Sequence, residues 1–257
     1  MVELMGPGTP LSVDSITSVL HPTGLGQAEL WSVLSVETSG CGYLPDRRPK
    51  ILFERHVFSR LTGHRFDAQY SDISQPTPGG YGASGAHQYQ RLTIALELDA
   101  VAALQSASWG LGQIMGEHYR DAGYANVEDM VAAMVASEQC QLQAMLAFVS
   151  AQSLIAPLRA HDWCAFAHHY NGPNYAANNY DGLLAQFYAH FAGGSTPDLQ
   201  VRSAQIYLSY AGFLVAAVDG VPGAATRRAV LAYQAHTGVA QTGVIDAGLL
   251  TALSRRA

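Results

Sequence analysis

Charged side chains are scarce in this 257-residue chain, and lysine is almost absent. Asp, Glu, Lys and Arg make up 13% of the residues, and the 14 basic ones comprise 13 Arg and the single Lys50. The net charge of −6 argues against a general nucleic-acid-binding protein, because such a protein needs a basic surface. The residues from 198 onward nevertheless carry five Arg and three Asp, and a slightly basic tail on an acidic body suits an acidic polymer.

Cysteine is scarce as well, and long apolar runs are missing. Cys41, Cys140 and Cys164 are odd in number, widely spaced and without a metal-ligand pattern, so we expect buried free thiols and neither a disulfide framework nor a zinc site. The first ten residues, MVELMGPGTP, have no basic segment and no apolar segment. No stretch of about 18 apolar residues occurs, so the sequence predicts neither a signal peptide nor a membrane span.

Hydrophobic residues make up 49% of the chain, enough for one large domain or for a medium and a small one. The clearest boundary is the segment FAGGSTPD, where Gly and Pro interrupt two helical patterns. We therefore place one domain at residues 1–192 and a second at 198–257, joined by a short flexible linker. Apolar periodicity predicts a mainly α protein with helices at residues 12–20, 25–37, 89–104, 163–170 and 180–191, and a helical stretch at 127–150 that is continuous or broken once.

Between the first helices and residue 89 the pattern changes. The segment KILFERHVF alternates, which predicts a strand with Glu54 and His56 among apolar side chains on one face. A helix over residues 49–62, with proline at its first position and glycine after its end, is the alternative. The next segment, SQPTPGGYGASG, is too rich in Gly and Pro for regular structure, so we expect a small β element followed by a loop.

One acidic residue, Glu37, stands where an apolar one is expected. In AELWSVLSVETSG, apolar residues recur at helical spacing from Leu30, and the next position of that stripe is Glu37, just before the helix ends. Burial and the negative end of the helix dipole both raise the pKa of a carboxyl group. An acid held protonated near neutral pH can give its proton to a glycosidic oxygen, so Glu37 is a candidate general acid. The alternative is an exposed glutamate at a helix end.

Two later segments complete a recognisable set. SWGLGQIMG is a Gly-punctuated turn or strand with one amide, Gln113, and AFAHHYNGPNY ends a helix on Tyr170 and Asn171 before a Gly-Pro step. A Glu-Thr step at a helix end, then Gly-Leu-Gly-Gln, then Tyr-Asn-Gly resemble, in this order, the lysozyme superfamily, in particular goose-type lysozymes and soluble lytic transglycosylases. The segment ILFERHVF more closely resembles the N-acetylmuramidases of phages and bacteria, including the phage endolysin type. The likeness extends over residues 24–191.

Two departures separate the chain from the transglycosylases. Gly112 stands where they usually have Met, and their pattern does not contain the FERH segment. Both differences favour the muramidases, and so a lysozyme-like catalytic domain.

The resemblance implies two catalytic carboxylates and a set of sugar-binding groups. Glu37 is implied as the acid, and Glu54 as the group that binds or activates water or steadies the developing positive charge. The implied substrate-binding residues are Gln113, Tyr170, Asn171 and His56. From the residues alone, Gln113 can equally satisfy backbone groups in a turn, and Glu54 can form an internal ion pair. The candidate partners of that pair are Arg47, Arg48 and Arg55.

From residue 198 onward the sequence resembles the three-helix peptidoglycan-binding domain of cell-wall hydrolases. Its features include the turn Asp219-Gly220, the helix stop Gly238, and the segment TGVID, in which Asp246 caps a final apolar helix. Most of these positions build a small core, so the fold is predicted and the ligand residues are not. Binding to the wall raises the local concentration of glycan at the catalytic domain.

Together these patterns predict a two-domain peptidoglycan hydrolase, expected to be a monomer, that cleaves between N-acetylmuramic acid and N-acetylglucosamine. Peptidoglycan is the expected partner, and no metal, organic cofactor or nucleic acid is implied. The alternatives are a lytic transglycosylase that gives anhydro products and a non-catalytic wall-binding or virion structural protein. We expect synthesis in the cytoplasm of the bacterial host without a signal peptide and action in the periplasm or cell wall. Delivery as an endolysin, a virion component or a secreted effector stays open.

Overall fold

Helices dominate the computed structural model, which describes residues 3–38, 40–214 and 216–255. In chain order the helices are α1 Val13–Leu20, α2 Gln27–Thr38, α3 Arg55–Leu61, α4 Ala86–Leu98, α5 Ala100–Gln105, α6 Val127–Ala136, α7 Glu138–Ala151, α8 Ile155–Arg159, α9 Trp163–Tyr170, α10 Tyr180–Ala192, α11 Leu199–Tyr210, α12 Ala224–Thr237 and α13 Ala247–Ser254. A small antiparallel sheet has the order β1 Ile51–Phe53, β2 Ala107–Trp109 and β3 Ile114–Met115. The predicted mainly α fold with a small β element is confirmed. In the described part of the chain, no helix has both the length and the apolar character needed to cross a membrane.

Two of the predicted helices are each divided by a capping residue. Asp99 has an extended backbone (φ −159°, ψ 102°) and separates α4 from α5, where its carboxylate accepts from the Ala102 N–H at 3.1 Å. Ser137 (φ −161°, ψ 155°) separates α6 from α7, and its hydroxyl accepts from the Cys140 N–H at 3.2 Å. Short polar side chains of this kind compete for backbone groups and begin a new helix rather than continue the old one.

The segment KILFERHVF is part strand and part helix. Pairing in β1 ends at Phe53, opposite Ala107, and the N–H of Glu54 still donates to the Ser106 carbonyl at 2.8 Å. Glu54 (φ −99°, ψ 92°) then becomes the first cap of α3, whose early N–H groups bond to its carbonyl. The predicted strand face that unites Glu54 with His56 is therefore wrong, because the chain turns into a helix between them.

Helix α2 lies within the larger of two cores and packs against α10. Its apolar side chains with at most 1% of their surface exposed are Leu30, Trp31, Val33 and Leu34. Each fully buried side chain of this size contributes about 1.5–3 kcal/mol of transfer free energy. The apolar stripe that precedes Glu37 is thus a real core face, as its spacing predicted.

A second, smaller core lies between α11, α12 and α13. Its buried residues are Ala204, Leu208, Leu214, Ala229, Val230, Tyr233, Leu249 and Leu253. The predicted cap is present, since the Asp246 carboxylate accepts from the Leu249 N–H at 2.8 Å. The predicted turn is held by the amide oxygen of Gln205, which accepts from the N–H groups of Asp219 at 3.1 Å and Gly220 at 2.8 Å. The expected small helical domain is confirmed.

The three cysteines are free thiols, but they are not all buried. Cys41 is buried, Cys140 is half-buried and Cys164 is exposed. The expectation of buried thiols is therefore correct for Cys41 alone.

A buried ion pair joins the two cores. The Arg202 guanidinium of α11 donates to both carboxylate oxygens of Glu138 on α7, at 2.5 and 2.7 Å, and neither side chain is more than 1% exposed. Glu138 also accepts from the N–H groups of Leu11 and Gly42, both at 3.0 Å, and Arg202 Nε donates to the Gly40 carbonyl at 2.9 Å. The Gly- and Pro-rich segment predicted a flexible connection, whereas the structure packs the two units together.

Replacing Arg202 by Met should destabilise the protein by about 3–5 kcal/mol, because it leaves the Glu138 carboxylate buried without its cation. The matched control is Arg228→Met on the exposed face of α12, which should change the free energy of unfolding by at most about 0.5 kcal/mol. Urea titration followed by circular dichroism measures both values. A loss below about 1 kcal/mol for Arg202→Met would show that this pair does not stabilise the packed arrangement.

Candidate active site

Glu37 occupies the last turn of α2, next to the end of the buried stripe. Its side chain is half-buried, and its Oε1 accepts a hydrogen bond from Nδ2 of Asn171 at 2.8 Å. Burial raises the pKa of Glu37 from 4.5 to about 7, although the bond from Asn171 acts in the opposite direction. The raised pKa inferred from the helical spacing is confirmed, and desolvation is its main cause. A substantial fraction of Glu37 is therefore protonated at neutral pH.

The end of α9 brings its two polar residues to different places. Asn171 follows the last residue of α9 and reaches Glu37, while the Tyr170 hydroxyl donates to the Gly112 carbonyl at 2.7 Å. The Tyr170 ring also stacks on Phe166, with ring centroids 5.1 Å apart. The helix end, the Gly-rich turn and the Tyr-Asn-Gly segment, recognised separately in the sequence, thus meet around one carboxyl group.

Gln113 lies in the Gly-rich turn with a left-handed backbone (φ 48°). Its amide nitrogen donates to the carbonyls of Gly110 at 2.9 Å and Lys50 at 3.2 Å, and its Oε1 accepts from the Ser108 hydroxyl at 2.9 Å. These bonds correspond to the turn-stabilising alternative for Gln113. Its contact with sugar stays a prediction.

The carboxyl end of α2 is tied down by two side chains. The Thr38 hydroxyl lies 3.2 Å from the carbonyls of both Leu34 and Leu111, so it can donate back into its own helix and across to the Gly-rich turn. Nζ of Lys50, the one lysine of the chain, donates to the Thr38 carbonyl at 2.8 Å. A cation at this position satisfies a terminal carbonyl and complements the helix dipole. No role was predicted for Lys50, although it is the single lysine of the sequence.

Glu54 has an imidazole as its neighbour. Its Oε2 lies 3.1 Å from Nδ1 of His56, and burial raises the pKa of Glu54 while His56 and Tyr81 lower it. Two of the three arginines named as candidate partners have other contacts: Arg48 pairs with Asp46 at 2.6 Å, and Arg55 donates to the Ser71 carbonyl at 3.3 Å. The imidazole of His56 therefore faces Glu54, brought there by the first turn of α3 and not by a strand face.

Two tyrosines respond to the charges of the carboxyl groups, Tyr180 to that of Glu37 and Tyr81 to that of Glu54. The pKa of Tyr180, at the start of α10, is raised by burial and then by the charge of Glu37. The pKa of Tyr81 is raised by burial and then by Glu54, with a further contribution from Tyr180. Tyr180 was not among the residues predicted for the site, because an aromatic residue at the start of a helix usually indicates packing.

Trp109 and Tyr81, two large aromatic residues whose rings could stack on a sugar, differ sharply in exposure. Trp109 is completely buried, and its indole N–H donates to the Leu104 carbonyl at 3.1 Å, so it belongs to the core. Tyr81 is 39% exposed beside Glu54 and is available to a ligand. The site therefore combines a carboxyl group that is partly neutral near pH 7, a second carboxyl group and an accessible aromatic ring. Such a set suits protonation of a glycosidic bond.

Comparisons with known proteins agree with this chemistry. The family model described as N-acetylmuramidase matches residues 26–192, and the model described as putative peptidoglycan binding domain matches residues 197–253. An endolysin of the Burkholderia AP3 phage, known from its crystal structure, is 37% identical in sequence to this chain. The match has a TM-score of 0.65 and covers 72% of this chain and 72% of that one. Among curated proteins, none matches the chain. The chain belongs to the N-acetylmuramidase family and is a lysozyme-type peptidoglycan hydrolase that carries a wall-binding module.

Proposed function

We propose that this hydrolase cleaves the glycan strand between N-acetylmuramic acid and N-acetylglucosamine, with Glu37 as its general acid. Residues 1–192 form the catalytic domain and residues 198–257 the wall-binding module of a monomer that acts in the periplasm or cell wall. The observation that carries the proposal is the carboxyl group of Glu37, whose pKa is raised to about 7 by burial at the end of a core helix. A glycosidase acid needs this property, because it must hold a proton at the pH at which it works.

Asn171 determines which oxygen of Glu37 gives the proton. Its Nδ2 donates to Oε1, so Oε1 acts as an acceptor and the proton resides on Oε2. Oε2 protonates the glycosidic oxygen as the bond to the anomeric carbon breaks, and positive charge develops on the sugar ring. The amide of Asn171 then stabilises the carboxylate that remains, because a hydrogen bond to the charged form favours it.

Glu54 is the proposed second catalytic group. It binds or activates the water that attacks the anomeric carbon, or it steadies the developing positive charge, and Nδ1 of His56 lies 3.1 Å from its Oε2. An acetamido group of the substrate is the alternative source of this assistance. The residues proposed to contact the sugars are Gln113, Tyr170, Asn171 and His56.

The Glu37→Gln protein should fold normally and cleave glycan about 10²–10⁴-fold more slowly, because an amide of the same shape cannot donate the proton. Glu97→Gln on the exposed face of α4 is the matched control and should retain its rate. The assay is the release of reducing ends from purified peptidoglycan, with mass spectrometry of the fragments. Reducing N-acetylmuramic acid ends support hydrolysis, whereas anhydro ends, lighter by one water, would identify a transglycosylase. A folded Glu37→Gln protein with most of its activity would refute the assignment.

Activity should fall as the pH rises through about 7, because Glu37 then loses its proton. The pH dependence of the cleavage rate measures this.

The free energy of unfolding should depend on the same group. The pKa of Glu37 is about 7 in the folded state and 4.5 ordinarily, so the folded state binds more protons between these two values. The folded state therefore loses stability as the pH rises from 4.5 to about 7. Glu37→Gln lacks this loss. Urea unfolding should therefore show the variant gaining stability over the wild type at pH 8 but not at pH 4. A difference that is independent of pH would contradict the raised pKa.

The Glu54→Gln variant distinguishes whether Glu54 or an acetamido group of the substrate supports the water and the developing positive charge. If Glu54 acts on water or on the developing charge, the variant should lose about 10²-fold in rate while its thermal unfolding stays cooperative. Retention of nearly the full rate would assign this role to the acetamido group of the substrate. The Glu97→Gln control applies here as well.

A further inference from the structure

The turn that follows the Glu37 helix is assembled from distant parts of the chain. The Gly40 N–H donates back to the Leu34 carbonyl at 3.0 Å and closes α2, and its backbone is left-handed (φ 77°), which suits glycine. Two residues later, the Gly42 N–H donates to Oε1 of Glu138 at 3.0 Å. The backbone just beyond the catalytic acid is therefore held at one point by its own helix and at another by α7.

A third point of attachment comes from the wall-binding module. Nε of Arg202 donates to the Gly40 carbonyl at 2.9 Å, and Nη2 also reaches that oxygen. Nη1 and Nη2 donate to the two carboxylate oxygens of Glu138, and the guanidinium carbon lies 5.5 Å from the Trp31 ring centroid on α2. One buried side chain thus contacts the helix that bears the acid, the turn behind the acid and the carboxylate that holds this turn.

Helix α11 presents Arg202 from a well-anchored position. Asp198 caps α11 by accepting from the N–H groups of Gln200 at 2.8 Å and Val201 at 3.0 Å, and its own N–H donates to the Gly220 carbonyl at 3.1 Å. At the other end of the helix, the Tyr210 hydroxyl donates to the Gly8 carbonyl at 2.9 Å. Arg202 is therefore fixed against both units.

We propose that Arg202 is a positioning residue for the catalytic acid, so that the wall-binding module completes the active site of the other domain in addition to binding the wall. The inference rests on the proposed role of Glu37. Without the guanidinium, the Gly40 carbonyl and the Glu138 carboxylate are both buried without their cation, and the turn must open to water or shift to satisfy them. Glu37 lies three residues before Gly40, and misplacing a catalytic group by about 1 Å can cost about 10²-fold in rate.

The test compares full-length Arg202→Lys with wild type. Lysine keeps the positive charge for Glu138, but its single ammonium group cannot replace a planar fork that also serves the Gly40 carbonyl. Arg228→Lys, on the exposed face of α12, is the matched control. The substrate is a soluble glycan fragment too short to engage both units, which removes the contribution of wall binding to the rate.

The expected result for Arg202→Lys is a fall in kcat of about tenfold or more, with KM changed by less than about twofold. Hydrogen exchange of the amides in residues 40–44 should become faster in this variant and stay unchanged in Arg228→Lys. A pair that only joins the two domains would leave kcat on the short fragment unaltered. Unchanged kcat or unchanged exchange in a cooperatively unfolding Arg202→Lys protein overturns the inference.

Two further comparisons keep the outcomes separate. If Arg202→Lys does not fold, Glu138→Gln is tested in its place. The amide keeps an acceptor for the Gly42 N–H but loses the charge that holds Arg202. The same measurements of kcat and of hydrogen exchange apply. Retained cleavage by Glu37→Gln would refute the proposed function itself. The exchange measurement would then still show whether Arg202 orders the turn.

Discussion

The packing of the whole molecule depends on one buried carboxylate, Glu138. It accepts hydrogen bonds from the backbone of Leu11 near the start of the chain, from Gly42 behind the active site and from Arg202 in the wall-binding module. A buried carboxylate is costly without such partners, so each of these segments is constrained to meet it. The two cores are consequently joined near the end of the helix that bears Glu37.

Glu37 is also shielded from water, but it has far fewer hydrogen-bond donors than Glu138. Glu138 receives a guanidinium and two backbone N–H groups, whereas Glu37 receives the one amide of Asn171. Desolvation therefore dominates at Glu37 and raises its pKa to about 7. The two carboxyl groups differ in the number and charge of their donors. The donors around Glu138 stabilise the fold. The raised pKa of Glu37 makes the folded state less stable as the pH rises toward 7, and it keeps a proton on that carboxyl group at lower pH.

Sequence reasoning was most successful where local patterns dominate. The spacing of Leu30, Val33 and Leu34 predicted the buried face of α2, and the cap at Asp246 predicted the start of α13. Over KILFERHVF the predicted strand and the alternative helix are each correct for one part, because alternation cannot show where pairing ends: strand pairing stops at Phe53, and Glu54 caps the helix that follows. For Gln113 the turn-stabilising alternative could be stated from the sequence, since two of its bonds are local, but its bond to the Lys50 carbonyl depends on a contact 63 residues away.

The amino-acid sequence by itself determined most of the long helices, the small C-terminal helical unit and the acidic residue at the end of α2, which follow from periodicity and turn chemistry, and its short motifs pointed to the family. Only the tertiary structure decided that Asn171 meets Glu37 across 134 residues and that Arg202 meets the Gly40 carbonyl across 162. The physical reason is that a buried polar group must be satisfied, but its partner can come from any part of the chain. Local spacing predicts which groups become buried, and folding selects their partners.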